Sequence, residues 1–249
     1  MLKKRIIPIV LIDGFSVLKT VNFDTRRNLG SPVTVMRTYN TRNVDEMIIL
    51  DIDASRSNRS IDRFVIHEIS ADCFMPLTVG GGIKTCHDIE NILKAGADKI
   101  SVNSHAYQEP QFISEAAKNF GSQCIVASVD CIKNGEKYWL FRDNKMICDV
   151  DLFEWLLRMQ DLGAGEILVN DAGKDGTMSG CDINLAKKIV DIMKIPVIFA
   201  GGVKSPENAA DLVEEANVDA VGISSIFHFT DNTPNDCSLS LKARGIPAR

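Results

Sequence analysis

The chain has 249 residues, 45% of them hydrophobic and 24% charged, with a formal net charge of −5. That balance excludes a disordered or low-complexity protein, and the lack of basic excess argues against a nucleic-acid partner. A membrane span needs about 20 consecutive apolar residues; the longest apolar run, Ile6–Ile12, is broken by Pro8 and stopped by Asp13-Gly14.

In chain order, β-branched runs predict strands over Arg5–Leu11, Glu46–Asp51, Pro76–Val79, Lys99–Asn103, Ile125–Asp130, Glu166–Asn170, Pro196–Ala200 and Ala220–Ser224. Amphipathic stretches between them, such as Ile61–Ser70, His87–Ala95, Pro110–Phe120, Leu152–Leu162 and Asn208–Glu215, have helical spacing. The chain also repeats itself. Met75–Thr85 reappears as Ile195–Ser205, with Pro76 and Pro196 120 residues apart, and Glu46–Asp51 reappears as Glu166–Asp171. Eight strand–helix units in two equivalent halves predict a (β/α)8 barrel. It is expected to be one domain, with half-barrels at about 1–120 and 121–249.

Seven scattered cysteines without a Cys-x-x-Cys predict no disulfide framework and fit a reducing cytoplasm. Lys3-Lys4-Arg5 before an apolar run imitates a signal peptide, but no small-residue cleavage site follows. The four histidines lack metal-ligand spacing, so neither a metal nor another cofactor is expected.

Barrel chemistry sits at the carboxyl ends of the strands. Gly80-Gly81-Gly82 follows the third strand and Gly201-Gly202 the seventh, while Asn103-Ser104 and Ser224-Ser225 end the fourth and eighth. Glycine lets backbone N–H groups approach an anion. A duplicated pair of such loops predicts two phosphate sites, although glycine also serves tight turns. Asp130 ends the fifth strand as a candidate general acid or base. Asp175-Gly176-Thr177 is a polar cluster that either binds substrate or simply forms a turn.

Arg5, Glu46, Lys99 and Glu166 begin four strands. Strand side chains alternate with period two, so each shares a face with the polar or apolar residue expected inside the barrel. A neutral inward ring of two cations and two anions is therefore expected at the barrel bottom, with exposed outward charges as the alternative.

The residues that now match a known family are Lys4–Pro8, Leu77–Ile83, Gly96–Lys99, Gly121–Cys124, Gly163–Leu168, Asp175–Thr177, Ser225–Phe229 and Gly245–Pro247. Over essentially its whole length the chain resembles the cyclase subunit of imidazole glycerol phosphate synthase. The resemblance implies a barrel that receives ammonia from a glutaminase subunit docked on its bottom. The ammonia is then passed to a phosphorylated small-molecule substrate at the top. It implies a gate of Arg5, Glu46, Lys99 and Glu166, a passage lined by Thr78 and Ser101, and a glutaminase contact at Asp98 and Gln123. Lys19 matches a substrate-loop lysine, with Thr20 in place of the usual glycine.

One departure bears on activity. Leu11 stands where the family's first catalytic aspartate belongs, and the segment is one residue shorter. Leucine cannot transfer a proton. This pattern is similar to a paralogous branch in which the barrel and a glutaminase supply a third amidotransferase in acetamidino modification of a surface-polysaccharide sugar. Two alternatives stay open: a true histidine-pathway cyclase using Asp130 with a substitute such as Asp13, and a scaffold that only activates the glutaminase.

Overall fold

The computed structural model describes residues 3–42 and 44–249. The first half of the chain supplies β1 (Arg5–Asp13), β2 (Ser16–Val21), β3 (Thr25–Gly30), α1 (Pro32–Thr41), β4 (Met47–Asp51), α2 (Arg63–Ala71), β5 (Leu77–Gly80), α3 (Cys86–Lys94), β6 (Lys99–Val102), α4 (Ser104–Gln108) and α5 (Gln111–Phe120). The second supplies β7 (Ile125–Asn134), β8 (Lys137–Arg142), β9 (Lys145–Asp151), α6 (Leu152–Asp161), β10 (Glu166–Asp171), α7 (Ile183–Ile192), β11 (Val197–Ala200), α8 (Pro206–Ala216), β12 (Ala220–Ile223), α9 (Ser225–Phe229) and α10 (Pro234–Ala243).

Strands β1, β4, β5, β6, β7, β10, β11 and β12 pair in parallel around a full circle, and β12 returns to β1. The fold is a (β/α)8 barrel. Period-two alternation splits its apolar side chains into two cores. Ile6, Val10 and Ile12 of β1 pack outward under the helices. Ile7, Ile9 and Leu11 point inward and meet Ile48, Val126, Leu168, Ile198, Ala200 and Ala220. Each fully buried Ile, Leu or Val among them contributes about 1.5–3 kcal/mol.

The predicted barrel strands and helices are present, but two hairpins were not foreseen. Strand β1 continues past Leu11 to Asp13 and turns back into β2 and β3, antiparallel to it. Strand β7 likewise runs past Asp130 to Asn134 and turns back into β8 and β9. The hairpins occupy equivalent places in the two halves, so the internal repeat extends to the strand extensions.

Candidate active site and central bore

At the carboxyl ends of the barrel strands lies a cavity of about 380 Å³. Gly81, Gly82, Asn103, Ser104, Asp130, Gly201, Gly202, Ser224 and Ser225 line it, together with Lys19, Asp175 and Gly176. Thr177 does not belong to this lining. Its hydroxyl donates to the Lys174 carbonyl at 2.8 Å and lies 2.8 Å from Ser179 Oγ, so it organises its own loop.

The glycine loops have a steric reason of their own. Gly82 has φ +63°, and a Cβ there would lie 1.8 Å from the Arg59 carbonyl oxygen. Gly202 has φ +83°, and its Cβ would lie 2.6 Å from the Gly180 carbonyl oxygen. A side chain is excluded at both by the neighbouring loop, whatever the cavity binds. Beside these loops, Asn103 Oδ1 and Ser224 Oγ are buried and have no partner among the described residues. Buried polar atoms of this kind are usually satisfied, which leaves them available to a ligand.

Asp130 accepts a hydrogen bond from Asn103 Nδ2 at 2.7 Å. Burial pushes its carboxyl up to about 7; hydrogen bonding to Asn103 opposes the shift and the nearby Asp175 charge adds to it. Such a group exchanges a proton readily near neutrality. Across the barrel Leu11 lines the same cavity. Asp13 does not: its side chain turns to Arg26, 3.5 Å away, so a substitute role for it has no geometric basis.

Lys19 and Asp175, read separately as substrate contacts, meet each other. Lys19 Nζ lies 2.8 Å from Asp175 Oδ1, and both residues are buried. The Thr20 hydroxyl donates to Asp175 Oδ2 at 2.6 Å, and the Asn22 N–H donates to the Asp175 carbonyl at 2.8 Å. Gly176 packs against Thr20, with room for no side chain, since its Cβ would lie 2.2 Å from the Thr20 carbonyl oxygen. The first hairpin is thus fastened over the mouth. At its turn, Phe23 packs on Phe141 of β8 with ring centroids 6.0 Å apart, so the two hairpins touch. Phe141, Arg142, Asp143 and Asn144 line the cavity and were missed in the sequence. The signal was Asn134-Gly135 between apolar runs, a strong hairpin turn.

At the opposite end of the barrel the four strand-start charges close a ring. Arg5 Nη1 lies 3.0 Å from both Glu46 oxygens, and its Nη2 bonds Glu166. Lys99 Nζ lies 3.0 Å from Glu166 and 3.4 Å from Glu46. The Arg5 and Glu166 side chains are 13% and 7% exposed, so these charges point inward rather than into solvent. Burial opposes the Arg5 charge, but Glu166 and Glu46 outweigh it and raise the pKa of the guanidinium. Above the ring the wall is Ile7, Ile9, Ile48, Val126, Leu168 and Ile198. Thr78 adds a buried hydroxyl along this wall, and the buried Ser101 and Ser128 line the cavity itself.

Asp98 and Gln123 are exposed near this end. The Asp98 carboxylate also has a local task, accepting the Leu77 N–H at 2.8 Å, as Asp219 accepts the Val197 N–H at 3.0 Å in the other half.

Fold and cavity together define a (β/α)8-barrel protein whose ligand site faces the strand carboxyl ends and whose opposite end is closed by charge. A family model described as histidine biosynthesis protein matches residues 5–233, and the chain belongs to that family. A relative from Campylobacter jejuni is 43% identical over 251 residues, covering 100% of this chain and 99% of the relative. Its provisional name is imidazole glycerol phosphate synthase subunit hisF2.

Proposed function

We propose that this chain is the ammonia-receiving barrel subunit of a glutamine amidotransferase. A glutaminase docks on the strand-start face, and the nitrogen serves acetamidino modification of a surface-polysaccharide sugar through a third amidotransferase. The observation that carries this reading is the closed ring of Arg5, Glu46, Lys99 and Glu166 at the foot of an apolar barrel wall.

Ammonia is small and neutral, whereas ammonium would lose its hydration on the wall of Ile7, Ile9, Ile48 and Leu168. The wall therefore passes the nucleophilic form. Thr78, Ser101 and Ser128 offer hydrogen bonds along the way, and the route ends beside Asp130. The glycine loops at Gly81-Gly82 and Gly201-Gly202, with Asn103, Ser104, Ser224 and Ser225, hold the phosphates of a small molecule. Asp130 accepts the proton released when the amine forms a bond. Leu11 leaves it without a second carboxylate, so cyclisation chemistry is disfavoured.

The test compares two nitrogen sources in the reconstituted complex. Lys99→Ala is expected to weaken glutamine-driven amidation more than amidation driven by added ammonium salt. Equal losses would return the four charges to a structural network. The retained Asp130 favours one second reading, a histidine-pathway cyclase, which would form imidazole glycerol phosphate and lose that product in Asp130→Asn. A scaffold that only activates its glutaminase would be indifferent to the same substitution.

A further inference from the structure

Beside the ring, on the strand-start face, a second cleft of about 360 Å³ lies between α1, α10 and the start of β1. Its walls carry three cations, Arg42, Lys242 and Arg249, against one carboxylate, Asp45. Among the described residues neither Arg42 nor Lys242 forms an ion pair, and Arg249 reaches only Glu46, at 3.7 Å. Asp45 faces inward, 3.5 Å from the Ile6 N–H. Helix α10 brings Asn235, Ser238 and Lys242 to the cleft at spacings of three and four, so an amide, a hydroxyl and an amine share one face. Neither the Asn235 nor the Ser238 side chain has a hydrogen-bond partner among the described residues. Asp45 in the wall and Glu46 beside Arg249 offset two of these three charges, which leaves a cationic excess that an anion would balance.

We propose that this cleft binds a small oxyanion, a phosphate- or carboxylate-bearing metabolite. Arg42, Lys242 and Arg249 supply the charge, and Asn235 and Ser238 donate hydrogen bonds. Guanidinium groups suit such oxygens because their N–H donors form a planar fork. The cleft has the size and concavity of a small-molecule site. Arg249 is shared between the cleft and Glu46, so a bound anion draws its guanidinium off the ring carboxylate and alters the entrance without entering the bore.

The test is titration of the full chain with inorganic phosphate and with citrate. It follows the Ser238 amide and the Arg249 Nε–H by nuclear magnetic resonance. Saturable shifts at both are expected, with affinity reduced about tenfold or more in Arg42→Ala and in Lys242→Gln. Circular dichroism checks that each variant is folded. Absence of saturation, an equal response to chloride, or unchanged affinity in both variants would mean an adventitious ion only and overturn the proposal. So would shifts that arise only when a glutaminase docks, since the anion would then be a partner side chain. The Gly82 and Gly202 amides report the mouth in the same spectra. Their silence would count against phosphate binding there and leave this cleft unaffected.

Discussion

Replacing Asp130 by asparagine should stabilise the protein, and by an amount that depends on pH. The ordinary carboxyl value is 3.8, and burial at the cavity floor raises it to about 7. At about 1.4 kcal/mol per tenfold change in proton affinity, the ionised group costs the fold up to about 4 kcal/mol. Asp130 is only partly enclosed, so screening lowers this to about 2–4 kcal/mol. Between pH about 4 and 7 the native state binds one more proton at this site than the unfolded chain does. Stability therefore falls as pH rises through that window, and the full penalty holds above 7. Asparagine cannot ionise, and its carbonyl can still accept from Asn103. In thermal unfolding the variant should match the parent near pH 4 and gain progressively to pH 7. It should melt about 5–15 °C higher at pH 8, at about 2–4 °C per kcal/mol for a chain of this size. A pH-independent difference, or a loss at pH 8, would refute the burial argument.

Arg5→Ala should destabilise by about 3–5 kcal/mol, because Glu166 would be left with Lys99 alone and Glu46 with only Lys99 and the more distant Arg249. Lys99→Ala should cost only about 1–2 kcal/mol, since Lys99 is 23% exposed and Arg5 still holds both glutamates; equal losses in chemical denaturation would contradict this ordering. With Leu11 facing Asp130, the chain plus ammonium salts should turn over the histidine-pathway intermediate far below about 1 s⁻¹, and a rate typical of enzymes would disprove it. A structure soaked in phosphate should show anions at Gly82/Asn103 and at Gly202/Ser225; two empty loops would count against the paired sites. Phe74, 84% exposed on the strand-start face between α2 and β5, should anchor the glutaminase. Phe74→Ala is then expected to weaken docking by about 2 kcal/mol, measured by calorimetry.

The barrel was legible because repetition and alternation are local properties of the sequence. The ring was legible for the same reason: Arg5, Glu46, Lys99 and Glu166 share parity with residues that must point inward. Pairings between distant segments were not. Lys19 and Asp175 are 156 residues apart, and nothing near either shows that each neutralises the other. The hairpins lay between. Asn134-Gly135 marks a turn, but the eight-unit pattern ends the first strand at Leu11 and the fifth at Asp130, where the chain continues to Asp13 and Asn134. Asp98 shows a further limit, because one carboxylate can cap a backbone N–H and still face outward, and the sequence cannot apportion the two tasks.

The hairpins sit on equivalent strands of the two halves and meet through Phe23 and Phe141 at the mouth. Their outer strands, β3 and β9, lie outside the closed circle. Insertions, deletions and exchanges there leave the ladder between barrel strands intact. The roof can therefore diverge quickly in shape and charge while the floor, wall and lower ring stay fixed. A lineage built this way can change what is admitted from above without renegotiating what arrives from below.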